Sequence, residues 1–210
     1  MSEQQDSLIR RVGLSETSRL EAFSDGVIAI AITLLILEIR VPHIEGGETH
    51  LWDALVGMWP TFVAYLVGFS TIGIMWINHH RLFTMIRRTD DWLLIYNLLL
   101  LLGMTFVNFP TVLLGEYLGT PDAGVAMAVY AGTAVAIALC FNLVWRYSVR
   151  AKLLDPEIPP QVIAGINRAY LFTPLLYGAA FVFAFINVFV SLVIVLGLAI
   201  YFAIPRHTNA

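Results

Sequence analysis

Apolar residues occur along the chain in six long stretches that are separated by short polar segments. The stretches cover residues 20–39, 52–77, 92–114, 125–145, 162–183 and 188–203. A helix needs about 20 mostly apolar residues to cross the hydrocarbon core of a bilayer. The pattern therefore predicts an all-α integral membrane protein with six transmembrane helices. Only residues 185–188 separate the last two stretches, and we place a hairpin near Asn187 because a single merged helix would be implausibly long.

The overall composition agrees with this pattern. Hydrophobic residues make up 59% of the chain and charged residues only 13%, whereas soluble domains carry about 25% charged residues. So little charge cannot solvate a water-facing surface of this size, which makes lipid the main solvent. The net charge of −3 gives no reason to expect a nucleic-acid partner.

The distribution of basic residues predicts the orientation. Basic residues flank the ends of the stretches that would share one face of the membrane: Arg10, Arg11, Arg19, Arg81, Arg87, Arg88, Arg146, Arg150, Lys152, Arg168 and Arg206. The opposite loops carry Arg40 beside the acidic residues Glu45, Glu48, Glu116 and Asp122. Since basic loops stay in the cytoplasm, both termini are predicted to be cytoplasmic. We divide the chain into a polar N-terminus (1–18), a six-helix transmembrane domain (19–205) and a short tail (206–210), and expect a multi-pass protein of the plasma or inner membrane.

The first stretch carries an ionisable residue close to its beginning. An aspartate inside a span costs about 2.5–3.5 kcal/mol on insertion scales, so Asp25 should have a partner. The second stretch ends on the same predicted membrane face, and an antiparallel neighbour would bring its end to the depth of Asp25. We expect a buried polar network that links Ser24 and Asp25 to Asn78, His79 or His80. Such a network either locks helices together or takes part in proton relay or ion binding.

Helical periodicity separates two faces of the first stretch. At about 100° per residue, Ile30, Leu34 and Leu37 share one stripe, with Thr33 on its flank. Asp25 lies about 140° from Ile30 by the same count. Periodicity alone is consistent with a stripe that faces lipid or packs in the core.

Three prolines fall inside the stretches, at Pro60, Pro110 and Pro174. Proline lacks a backbone N–H and leaves a carbonyl without its helical partner, which neighbouring helices tolerate in membranes. We expect kinks at these positions.

Motifs for catalysis, cofactors and metals are not evident. The adjacent His79 and His80 lack the spacing of four that puts two imidazoles on one helical face, and Cys140 is a single cysteine in an apolar run. The sequence thus predicts no enzyme, no cofactor and no metal site.

The start of the first stretch resembles the first helix of the transmembrane protein 175 family. The resemblance rests on Arg19, Phe23, Ser24 and Asp25, spaced Arg-x-x-x-Phe-Ser-Asp ahead of the apolar run 26–39. The end of the second stretch also matches, with the run Trp76, Ile77, Asn78, His79 and His80. The family includes a potassium channel of endosomes and lysosomes with two six-span repeats. This chain has one repeat, like the bacterial members.

The resemblance implies a potassium-preferring channel that assembles as a homotetramer, with the first helices lining a central pore. Ile30, Leu34 and Leu37 would then form successive apolar rings, Ile30 would be the narrowest point, and Thr33 would add a hydroxyl layer. The resemblance also implies that Arg19, Phe23, Ser24 and Asp25, with Asn78, His79 and His80, hold the pore helix against its neighbours.

Two other functions use the same polar residues. A proton-coupled secondary transporter would titrate Asp25 together with His79 or His80. An intramembrane enzyme would need a nucleophile or a metal beside them. Transporters of this kind often show inverted repeats and broken helices, which the sequence does not indicate.

Overall fold

The structure is a computed structural model that describes residues 3–43 and 50–204, with the side chains of residues 3–15 and 203 excluded. The predicted tail 206–210, the outer-loop residues Glu45 and Glu48, and the side chains of Arg10 and Arg11 lie outside the described part.

The described residues are helical apart from short connections, as the sequence predicts. The helices are α1 (Glu3–Leu34), α2 (Leu51–Gly57), α3 (Trp59–Phe83), α4 (Asp91–Phe106), α5 (Asn108–Tyr117), α6 (Ala123–Arg150), α7 (Pro160–Ala184) and α8 (Val188–Ala203). A 3-10 turn at Leu35–Glu38 continues α1. The predicted hairpin before α8 is present, because the Asn187 side chain accepts the backbone N–H groups of Phe189 and Val190 and caps that helix.

The second and third predicted stretches are each divided in two. A break at Met58 separates α2 from α3, and a break at Val107 separates α4 from α5. Each break lies just before a proline, Pro60 or Pro110. A proline fits best in the first turn of a new helix, where its missing N–H has no partner to lose. At these two prolines the helix is interrupted by one residue, Met58 or Val107, and Asp91–Tyr117 still forms one candidate span.

Pro174 lies inside a continuous helix instead. It removes the donor that the carbonyl of Tyr170 would otherwise use. The side-chain amide of Asn142 on α6 donates to that carbonyl at 2.7 Å. Because a neighbouring helix supplies the missing hydrogen bond, α7 continues through the proline.

Within the described residues, four segments are long and apolar enough to cross a membrane. They are Glu16–Glu38, Trp59–Phe83, Asp91–Tyr117 and Ala123–Arg150. The apolar part of α8, Val188–Phe202, is shorter, and α7 is not among the four. The count of six spans stays a prediction.

Helix α6 forms the centre of the bundle, since it contacts α4, α5, α7 and α8. Its Tyr130 and Trp145 are fully buried. Helices α3 and α5 approach closely at Gly68, where a β-carbon would lie 2.7 Å from the side chain of Thr111. In contrast, α1 packs on one side only, against α3 and α4.

Candidate functional site

The inward face of α1 is a narrow stripe of buried residues. Leu20, Ser24, Ile28, Ala31 and Leu35 are all buried, at spacings of four and three residues. This is the repeat of one helical face. The stripe rests on α3 and α4 and leaves the rest of α1 uncovered.

The predicted apolar stripe lies on the uncovered side. Ile30 is 61% exposed, Leu34 46% and Leu37 69%. Thr33 lies beside them and is also exposed. Its hydroxyl donates within its own helix, to the carbonyls of Ala29 at 2.9 Å and Ile30 at 3.0 Å. Since the hydrogen is used in this way, the hydroxyl can act towards another group only as an acceptor.

Behind α1, three buried polar side chains form one hydrogen-bonded chain. The Asn97 amide nitrogen on α4 donates to the Ser24 hydroxyl at 2.9 Å. Its amide oxygen lies 2.9 Å from Nε2 of His79 on α3. The Ser24 hydroxyl donates in turn to the carbonyl of Leu20 at 2.8 Å. Ser24, Asn97 and His79 are each 0% exposed, so the chain joins three helices in the buried interior.

The direction of the donors assigns the tautomer of His79. An amide oxygen can only accept, so Nε2 carries the proton. The other ring nitrogen, Nδ1, is buried and has no hydrogen-bond partner among the described residues. The ring stacks on Phe83 with centroids 4.2 Å apart. The neutral ring thus acts as one donor in the network and as an apolar contact.

The acidic residues of α1 have separate partners at the membrane face. The Trp76 indole donates to the Asp25 carboxylate at 2.9 Å, and one turn away Nδ1 of His80 lies 2.7 Å from the Glu21 carboxylate. The two pairs run in opposite order along α1 and α3, as expected of antiparallel helices. The end of α3 therefore lies at the depth of Asp25, as the sequence predicts.

The polar residues of the expected network are nevertheless not joined in a single network. Ser24 and His79 share one network through Asn97, whereas Asp25 is half-buried and bonds to Trp76. Asn78 lies one residue, and so about 100° around the helix, from His79. It lines a cavity between α3, α6, α7 and α8 instead.

This arrangement bears on the transporter hypothesis. Asp25, His79 and His80 each bond to a different partner, rather than to one another. These three side chains therefore do not form a shared titrating site. The structure does not favour the transporter hypothesis.

The remaining residues of the predicted signature lie at the surface of the single chain. Arg19 is exposed, and Phe23 is 53% exposed. Sequence reasoning missed Asn97, Trp76 and Glu21 as partners. A signal for Asn97 exists, because it is a solitary amide within the leucine-rich run of α4.

The fold and the site define a helical membrane protein in which α1 rests on its neighbours through a buried face that includes Ser24 and leaves an apolar stripe uncovered. The family model for the endosomal/lysosomal potassium channel TMEM175 matches residues 19–107. A potassium channel of Chamaesiphon minutus is 48% identical over 195 residues, which cover 92% of this chain and 96% of the relative. The chain belongs to the TMEM175 family.

Further comparisons agree. A potassium channel of Streptomyces collinus is 45% identical, over 81% of this chain and 85% of that protein. The crystal structure of a lysosomal potassium-selective channel TMEM175 homologue from Chamaesiphon minutus superposes with a TM-score of 0.82 at 47% identity, over 93% of this chain and all of that one. The human endosomal/lysosomal proton channel TMEM175 is 28% identical, and the match covers 34% of its length. These relatives are channels and not enzymes.

Proposed function

We propose that this chain is the subunit of a potassium-permeable channel, in which the α1 helices of four copies line a central pore. Two bacterial relatives that the chain matches over most of their length are named potassium channels. The proposal includes six spans in the plasma or inner membrane, with segments 1–18 and 206–210 in the cytoplasm. Potassium is the permeant ion, and no cofactor is needed.

The observation that carries this proposal is the open apolar face of α1. Ile30, Leu34 and Leu37 are all about half exposed or more, although the opposite face of the same helix is buried. A lipid-facing helix would show the same exposure, but this face also carries the Thr33 hydroxyl. Four such faces around one axis would form stacked rings.

Small residues would allow the helices to approach one another. Ala22, Gly26 and Ala29 are exposed on α1, and a β-carbon at Gly26 would meet nothing within 4 Å. Small residues let membrane helices pack closely. The exposed Arg19 and Phe23 would contact neighbouring subunits, while the Ser24–Asn97–His79 network holds α1 within its own subunit.

A ring of four Ile30 side chains would control the passage of ions by excluding water. Such a ring offers an ion no replacement for its hydration shell. Potassium releases its water more readily than sodium and would pass more easily. The acceptor oxygens of Thr33 would supply a second, polar layer next to the ring.

The test is a reversal-potential measurement on purified protein in planar bilayers under a potassium–sodium gradient. We expect the current to reverse towards the potassium equilibrium potential and Ile30→Ala to change its selectivity or size. Leu98→Ala is the matched control, because Leu98 is 52% exposed on α4 and not on α1. Absence of current, with saturable uptake that follows a proton gradient, would reject the channel in favour of a transporter.

A second variant tests whether the Thr33 hydroxyls or the Ile30 ring discriminate between potassium and sodium. If the Thr33 oxygen discriminates between the ions, Thr33→Ala should lower the potassium preference while Ile30 remains in place. Unchanged selectivity in Thr33→Ala would assign discrimination to the apolar ring.

A further inference from the structure

A cavity of about 190 Å³ lies beside the C-terminal end of α1. One wall is the 3-10 turn of α1 and the two residues that follow it; the others are the first turns of α3 and the last turns of α5. Its polar lining consists of Glu38, Arg40, Thr61, Tyr65, Thr111 and Glu116. None of these residues belongs to the apolar stripe or to the Ser24–Asn97–His79 network.

The charged groups of this cavity are not paired with each other. Within the described residues, Glu38, Arg40 and Glu116 form no ion pair within 4.0 Å. The three charges nevertheless line the same space, with Glu38 and Arg40 on one wall and Glu116 on another. Charges that converge on a cavity without neutralising one another are suited to a ligand that carries complementary charges.

Two hydroxyl groups add to the unused hydrogen-bonding capacity. Thr61 and Tyr65 are half-buried, and neither hydroxyl has a partner among the described residues. The Thr111 hydroxyl, in contrast, donates to the carbonyl of Val107. The cavity therefore offers a guanidinium and two free hydroxyls as donors, and two carboxylates as acceptors.

The mixture of charges limits the chemistry of the ligand. A bare divalent cation would be repelled by Arg40, and a simple anion by the two carboxylates. A zwitterion with one phosphate and one ammonium group matches both kinds of charge, because the phosphate can bind Arg40 and the ammonium can bind the two carboxylates. A cavity of about 150 Å³ accommodates benzene, so this one has room for a small headgroup.

The position of the cavity identifies the source of such a zwitterion. It lies where the candidate spans Glu16–Glu38 and Trp59–Phe83 meet at one end. Trp59, at the start of α3, is 46% exposed, and tryptophan is enriched at the membrane–water interface. Lipid headgroups occupy this level of a bilayer. An ethanolamine ammonium has N–H donors for the carboxylates, whereas choline has none.

We propose that this cavity binds the headgroup of phosphatidylethanolamine. Arg40, Thr61 and Tyr65 hold the phosphate, and Glu38 and Glu116 accept from the ammonium group. Bound in this way, the headgroup connects the end of α1 to α5. This role in holding the pore helix rests on the proposed channel function, whereas the binding itself does not.

The test measures lipid retention by native mass spectrometry of the full chain, released from nanodiscs that contain equal amounts of phosphatidylethanolamine, phosphatidylcholine and phosphatidylglycerol. We expect wild type to retain phosphatidylethanolamine about tenfold over phosphatidylcholine, since a charge-assisted hydrogen bond contributes about that factor. Glu116→Gln should lose this preference, because only ethanolamine donates N–H groups to the carboxylates. Arg40→Gln should instead lower the retention of both lipids, since both carry the phosphate that Arg40 binds. Asp122→Asn is the matched control, an exposed acidic residue outside the cavity, and should keep both the preference and the retention.

Tyr65→Phe serves as a second variant that removes a single hydroxyl with little risk to folding. Because that hydroxyl binds the phosphate, the variant should retain about threefold less phosphatidylethanolamine and keep the preference over phosphatidylcholine. Equal retention of the three lipids by wild type, or full preference in Glu116→Gln together with undiminished retention in Tyr65→Phe, would overturn the proposal. Selective retention of phosphatidylglycerol would also overturn it, in favour of an anion site. Potassium current in bilayers without phosphatidylethanolamine tests the channel separately, so either proposal can fail without the other.

Discussion

Replacing Asn97 by leucine should destabilise the protein strongly, although leucine has a similar branched shape and α4 is otherwise apolar. Asn97 makes two buried side-chain hydrogen bonds, to Ser24 and to His79. Such bonds in membrane proteins contribute about 0.6 kcal/mol each, so their loss costs about 1 kcal/mol. The larger effect falls on His79, whose ring would then have no partner at either nitrogen among the described residues.

A buried donor left without a partner costs about 1–3 kcal/mol. The expected loss for Asn97→Leu is therefore about 2–4 kcal/mol in the free energy of unfolding. The assay is a denaturant titration in mixed micelles, followed by tryptophan fluorescence. Leu98→Ala changes an adjacent, exposed residue of α4 and should shift the free energy by less than about 0.5 kcal/mol.

A double variant tests the physical reason. In the combination of His79→Leu with Asn97→Leu, no imidazole remains without a partner, and replacing both members of a hydrogen bond by apolar groups is nearly neutral. The double variant should be more stable than Asn97→Leu alone by more than about 1 kcal/mol. If the two changes add within about 0.5 kcal/mol, or if Asn97→Leu is as stable as wild type, the reasoning about this network is refuted.

Two other contacts between helices lead to predictions. Asn142→Leu removes the side-chain donor that the structure gives to the Tyr170 carbonyl. It should lower the free energy of unfolding by about 1–2 kcal/mol in the same titration, and no change would mean that the carbonyl finds another donor. Gly68→Ala brings a β-carbon to 2.7 Å from Thr111, so it should destabilise by about 1–3 kcal/mol. Gly178→Ala is its control, because a β-carbon there meets nothing within 4 Å; equal stability of the two alanine variants would contradict the packing argument.

The helices themselves follow from local properties of the chain. Length and apolar content predict the helical stretches, and also the hairpin near Asn187, because a single merged helix would be implausibly long. The same local reasoning places kinks at Pro60 and Pro110. It does not predict the one-residue interruptions at Met58 and Val107, since the cost of an interruption depends on which neighbouring groups replace the lost hydrogen bonds.

The two faces of α1 were also predictable in part. Periodicity alone places Ile30, Leu34 and Leu37 on one stripe, with Asp25 off that stripe. It does not tell which face is buried, because in lipid an apolar side chain is suited equally to the membrane and to the interior. The contacts of Ile28 and Ala31 with the rest of the bundle settle the buried face for the single chain.

Tertiary structure alone decided which polar groups meet. Asn97 and Ser24 are 73 residues apart in sequence, and only the packing of α4 beside α1 and α3 brings them together. Likewise, no local pattern relates Glu116 to Arg40, which share a cavity because α5 ends beside the end of α1. Hydropathy and backbone preferences act over a few residues, so the sequence by itself determines the helices. The rotation of each helix against its neighbours depends on contacts along the whole bundle, and this rotation decides which side chains form the site.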